Sequence, residues 1–216
     1  MPTLTKYQQS GFVLEGKAGH YAFDIGLLTP LETVATIAHI DASFISHIHR
    51  DHYDAERLAL LKAQVYGPIE VYTASIDANL PANLIHAGDT VALDGITVTA
   101  ITADHGPIVS SNPIENLGYV IEIDDKRIWF LGDMAVPSLV PDGFFDLILV
   151  PMGGGGYVFS PEQAVQYMRT ISHEGNTLPI HYDSSVVDAN ALEHFEELAE
   201  GHFEVTVLAP GESFTV

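Results

Sequence analysis

The chain has 216 residues, enough for one large domain or two small ones, and 47% are hydrophobic, so a sizeable core is expected. Its formal net charge is -21, from 29 acidic and 8 basic residues, with no Lys or Arg between Thr170 and Val216, a field that repels nucleic acid and other polyanions. No cysteine is present, which excludes disulfide and thiolate chemistry, and no stretch approaches the ~20 apolar residues of a membrane span.

Taken in order, Phe12–Glu15 and Tyr21–Ile25 read as a hairpin around Gly16 to His20. Pro30 to Ile40 reads as a partly helical connector, and Ala42 to Ser46 as a buried strand. Asp54 is a plausible N-cap for a helix reaching Gln64, with Leu58, Leu61 and Val65 on its apolar face. A strand is expected over Ile69–Tyr72, a short helix over Ser75–Leu80, and a turn at Gly88-Asp89. Gly95–Thr102 alternates cleanly, with Ile96, Val98 and Ala100 on one face.

The second half repeats the pattern of strand followed by polar residue. Gly118–Ile123 and Arg127–Leu131 flank a turn at Asp124–Lys126, and Trp129 and Phe130 read as core. Phe145–Val150 is a short apolar strand leading into Pro151, Met152 and four glycines, Gly153 to Gly156. Ser160, Pro161 and Gln163 mark a capped helix start, and that helix is expected to reach about His173. Thr177–Ile180 is a strand, Asp188 the expected cap of a helix to Glu200, and Phe203–Leu208 the expected closing strand. With no linker between the halves, the expectation is one domain over residues 1–216, of α+β class, with two packed sheets and outer helices.

The densest chemistry lies in Ser46-His47-Ile48-His49-Arg50-Asp51-His52, on the turn from a buried strand into a helix. His47 and His49 are two apart and point the same way in extended backbone. Asp51 and His52 follow the turn, where the chain curls back. One loop could then serve two adjacent metal ions. His105, Asp133 and His181 also sit just past expected strand ends, so they can converge with it on one rim. His20, His39, His86, His173, His194 and His202 read as surface or packing residues.

His47-x-His49-x-Asp51-His52 resembles the metal-binding signature of the metallo-β-lactamase superfamily of hydrolases. The resemblance covers roughly residues 10 to 209 and implies an αββα sandwich of two mixed β-sheets with helices outside. It implies that His47, His49 and His105 hold one metal, that Asp51, His52 and His181 hold a second, and that Asp133 bridges them. His49 separates the chain from the diiron flavoprotein branch, which has a carboxylate there. The Gly132-Asp133 element, Pro151-Met152-Gly153-Gly154 and Pro179-Ile180-His181-Tyr182 resemble the short, sugar-phosphate-lactonase-like branch of predicted Zn-dependent hydrolases.

Two divalent cofactor ions are therefore expected, zinc first, with manganese or iron as alternatives suited to the same nitrogen and oxygen ligands. Two such ions ~3.5–4 Å apart share and acidify a water, giving a bridging hydroxide that attacks a carbonyl carbon or phosphorus. Asp51 is expected to orient it, and Tyr182 or Tyr157 to donate the proton. Gly154 and Tyr157 are expected beside the substrate. Arg50 either reaches an anionic group on it or pairs with the acidic surface. The expected partner is a small ester, lactone or phosphodiester, with no nucleic acid and no membrane, in the cytoplasm, and a homo-oligomer remains open. The rival expectations are a phosphodiesterase or ribonuclease of this fold and a non-catalytic metal-binding interaction protein.

Overall fold

The computed structural model describes residues 1–106, 114–171, 175–184 and 187–216. The expected positions His173 and most of the loop from Val109 to Glu115 lie outside them. In chain order the elements are β1 (Thr3–Lys6), β2 (Phe12–Glu15), β3 (His20–Phe23), α1 (Leu31–Val34), β4 (Ala42–Phe44) and α2 (Ala55–Leu61). Then come β5 (Gln64–Gly67), α3 (Ile69–Asp77), β6 (Ala82–Leu84), β7 (Thr90–Leu93), β8 (Ile96–Thr102) and β9 (Leu117–Ile123). The last are β10 (Lys126–Phe130), β11 (Leu147–Pro151), α4 (Pro161–Met168), β12 (Asn176–Ile180), α5 (Ala191–Ala199) and β13 (Ser213–Thr215).

Among the described residues the strands form two mixed sheets, in the orders β13-β1-β2-β3-β4-β5-β6 and β12-β11-β10-β9-β8-β7. Between the sheets lies an aromatic core in which Phe12 stacks on Phe23 at 4.6 Å and Phe130 meets Phe12 edge-on at 5.2 Å. Each such ring contributes roughly 1.5–3 kcal/mol by leaving water. The outer face of the first sheet packs Ile45 and Val65 against Leu58 and Val71 of α2 and α3. The outer face of the second packs Trp129 and Ile148 against Val165 of α4 and Phe195 of α5. Trp129 and Phe130 therefore point to opposite sides of β10, each into a core, as period-2 alternation requires. The result is the expected αββα sandwich.

Two caps carry the local logic. The Asp54 side chain accepts from Arg57 N at 3.1 Å and pairs with its guanidinium at 2.9 Å, fixing where α2 begins. Ser160 and Gln163 form a full capping box with Pro161 in the first turn of α4.

Four local expectations need correction. Ile69–Tyr72 is the start of α3, because Pro68 sits at its N-cap and the strand has already been spent at Gln64–Gly67. Val65 accordingly lies in β5 and not on a helix face. Asp188 caps a turn, accepting from Asn190 N at 2.9 Å, while Asn190 occupies the N-cap of α5 without a side-chain bond. The sheet is closed by Ser213–Thr215 on β1; Phe203–Leu208 contributes only a bridge between Val205 and Thr177.

Candidate metal centre

Four strand ends deliver the site. The segment after β4 turns at once, with His52 N and Tyr53 N both bonded to His49 O, so Asp51 and His52 curl back under His47 and His49. This loop is pressed onto the segment following β3. A Cβ on Gly26 would sit 2.1 Å from the Asp51 carbonyl oxygen, so only glycine fits. Asn116 joins the other two ends, donating to Ala103 O at 3.0 Å and Asp133 O at 3.2 Å, which holds His105 and Asp133 together. Past β12, His181 takes a left-handed conformation with φ 59. Its carbonyl lies against Gly153, where a Cβ would approach to 2.1 Å.

The seven residues form two groups, His47, His49 and His105, and Asp51, His52, Asp133 and His181, the atoms of each within 4.8 Å of one another. In the first, His47 Nε2 lies 2.8 Å and His105 Nε2 3.2 Å from His49 Nδ1. In the second, Asp133 Oδ2 is 3.0 Å from His52 Nε2 and 3.1 Å from His181 Nε2. Asp51 Oδ2 lies 3.4 and 3.3 Å from the same two nitrogens. Asp133 Oδ2 is also 3.8 Å from both His47 Nε2 and His105 Nε2, so it stands between the groups. Three imidazole nitrogens converging without a carboxylate, beside two that share carboxylates, fit borderline divalent ions such as zinc.

The electrostatics differ between groups. Burial, reinforced by neighbouring histidines, holds His47 well below the usual imidazole range and lowers His49 as well. For His52 burial acts the same way, but Asp133, Asp51 and Asp24 outweigh it and raise the ring well above that range. His181, opposed by burial, is raised to about 9 by Asp133 and Asp51. Burial would raise Asp133 and Asp51, yet the imidazoles beside them keep both below the ordinary carboxylate range.

A cavity of about 460 Å³ opens over the centre, lined in part by Leu27, Leu28, Arg50, Gly154, Tyr157 and Val187. The three expected substrate contacts, Arg50, Gly154 and Tyr157, thus reach the cavity. Tyr182 does not line it: its hydroxyl donates to Leu208 O at 2.9 Å and burial raises its pKa, so the structure gives it no place as proton donor. The other described histidines lie apart; His194, for example, pairs with Glu162 at 2.9 Å on the surface.

Sequence reading missed the supports. Asp24, fully buried, accepts from Ser46 N at 2.7 Å and Ser46 Oγ at 2.6 Å, and lies 2.7 Å from His52 Nδ1. Burial pushes the Asp24 carboxyl up and the bonds from His52 and Ser46 oppose that. With Nδ1 so engaged, Nε2 of His52 faces the centre. Ser10 Oγ reaches Asp133 Oδ1 at 3.4 Å, and Gln9 lines the cavity. The one available signal was Asp24 at the end of an apolar strand.

Residues 22–182 match the family described as Beta-lactamase superfamily domain. A UPF0173 metal-dependent hydrolase of Polynucleobacter asymbioticus is 30% identical over 204 residues, covering 83% of this chain and 71% of the relative. A UPF0173 protein of Pyrococcus furiosus is 32% identical over 187 residues, covering 83% and 85%. Among solved structures, a metallo hydrolase from Ignicoccus hospitalis superposes with a TM-score of 0.80 at 23% identity, covering 100% of this chain and 99% of that one. The chain therefore belongs to the beta-lactamase superfamily, among its metal-dependent hydrolases.

Proposed function

We propose that the chain hydrolyses a small ester, lactone or phosphodiester at a dinuclear centre, zinc first, with manganese or iron as alternatives. The observation that carries this is Asp133 Oδ2, placed between a histidine trio and a mixed group on the floor of an open cavity. His47, His49 and His105 would hold one ion, Asp51, His52 and His181 the other, and Asp133 both. When bound, two such ions supply hydroxide at neutral pH and polarise the bond under attack.

The chain's own residues then have separable tasks. Asp51 is partly open to the cavity, and its carboxylate is the acceptor that would orient the attacking water. Arg50 is exposed at the rim and, among the described residues, makes no ion pair, so it is available to an anionic group. Tyr157 stands at the same rim, its hydroxyl without a partner among the described residues and so open to a leaving oxygen. Leu27, Leu28 and Val187 limit water around them. The ring-opening of a sugar-like lactone suits this mixture of one cation, one phenol and apolar wall. The net charge of -21 favours a small substrate over nucleic acid.

The test is elemental analysis of protein purified without chelator, followed by turnover on simple esters, lactones and bis-aryl phosphates. About two equivalents of metal, with turnover of one class abolished by chelator and restored by the ion, is the expected result. A chain that neither retains nor regains metal removes this reading. Metal without turnover leaves a binding protein.

A further inference from the structure

Gln9 is a buried residue that nothing above employs. It is 2% exposed, yet it lines the cavity with His181 and Asp133. Its carboxamide Nε2 lies 3.4 Å from His181 Nε2, and its Oε1 has no hydrogen-bond partner among the described residues. A buried amide oxygen without a partner is unusual in a native protein and calls for one. A second neutral group on the same cavity shares this property: Ser184 Oγ is also buried and unpartnered among the described residues.

The placement of Gln9 is built. Its backbone is left-handed, φ 56, a conformation that a non-glycine residue holds only under constraint. The constraint is Asp183, whose Oδ1 accepts from Gln9 N at 2.7 Å. Asp183 is itself fixed by Lys6, 1% exposed, whose Nζ donates to Oδ2 at 2.6 Å and to Tyr7 O at 2.9 Å. His181 N closes the arrangement by donating to Gln9 O at 3.3 Å. Burying the Lys6 ammonium costs desolvation, and its half-buried pair with Asp183 holds the backbone from which Gln9 reaches the cavity.

We infer that Gln9 and Ser184 form a subsite that binds an uncharged oxygen of the substrate, a hydroxyl or carbonyl, beside the group containing His181. The two side chains offer both donors and acceptors without adding charge next to Asp51 and Asp133. The inference rests on the hydrolase reading for the ions that anchor the rest of the substrate, and it adds what the substrate must carry: a hydrogen-bonding oxygen next to the reacting group.

The test uses binding and not turnover. Zinc-loaded protein is titrated calorimetrically with 2-hydroxyethyl phosphate and with ethyl phosphate, which differ by one hydroxyl. Wild type is expected to prefer the hydroxylated ligand by about tenfold, the upper end of what one net hydrogen bond supplies. Gln9→Met, of similar length without hydrogen bonds, and Gln9→Asn, which tolerates the left-handed backbone but draws the amide back, are expected to reduce that preference below about twofold at unchanged zinc content. No preference in wild type, or one that survives in both variants, overturns the subsite. Loss of zinc in both variants also overturns it, since Gln9 would then only support His181. Failure of the hydrolase reading shows separately, as zinc-loaded wild type without turnover.

Discussion

The two ligand groups share a floor and a carboxylate but treat protons in opposite ways. His47 and His49 are kept from protonating, chiefly by burial, so these two rings present neutral nitrogens. His52 and His181 are buried just as deeply, but Asp133 and Asp51 beside them favour the charged ring. His47 and His49 can accept a cation without giving up a proton. The mixed group must exchange protons for metal, so its loading is tied to pH. One fold thus makes two metal positions of unlike character by changing only the number of carboxylates within reach.

The strongest way to break the comparison is Asp133→Ala, which removes the carboxylate common to both groups. Metal content is expected to fall below one equivalent and turnover by about a thousandfold or more, a barrier change of about 4 kcal/mol. The metal-free fold should weaken by less than the roughly 3–5 kcal/mol of a buried charge left wholly unpaired, because Asp51 and Asp24 remain beside His52 and Asp51 beside His181. Retention of both ions in this variant would refute the bridging placement. Next, His105→Ala and His181→Ala should each cost about one equivalent of metal, measured by elemental analysis. If either variant loses both ions, the groups load as one and the comparison collapses.

Asp24→Asn sharpens the comparison from outside. It bonds His52 directly and reaches His47 only through Ser46 Oγ, 2.9 Å from His47 Nδ1, so affinity of the mixed group should fall by about 10–100-fold and that of the trio by less. Competition titration against a chelator separates the two affinities. The smallest effect concerns pH in the metal-free protein. Raised folded pKa values at His52 and His181 give stability that is present below about 6.5, the free histidine value, and lost as pH rises through about 9. Lowered values at His47 and His49 give the reverse, stability present above about 6.5 and lost as pH falls. Melting temperature should therefore decline on both sides, and zinc should abolish the alkaline decline. A melting curve that rises steadily to pH 10 would contradict this.

The sandwich was legible because alternation in β8, the apolar run of β11 and the capping box of α4 are local signals. His47, His49, Asp51 and His52 were legible because four of the seven groups are encoded in six consecutive positions. His105, Asp133 and His181 could be found because each follows a strand with a clear end. Asp24, Gln9 and Lys6 were not legible, since their partners lie 28, 174 and 177 residues away along the chain. The helical start at Ile69 was misread for a related reason. Its β-branched residues favour strand, and only the neighbouring β5, already paired with β4, leaves helix as the remaining choice. Tyr182 shows the limit of reasoning by adjacency: one position from His181, it packs against the core outside the second sheet and spends its hydroxyl on Leu208 O.

The bond between Lys6 and Asp183 also sets a clock. At about 5–20 residues per second on the ribosome, roughly 9–35 s separate the synthesis of the two residues. In the later part of that interval, once residue 105 has been made, the nascent chain carries His47, His49 and His105 but has neither His181 nor the clamp that aims Gln9. The cavity wall is completed only once His181, Ser184 and Val187 have been made. Filling of the mixed group therefore waits for β12 and His181, long after the residues of the trio have been made.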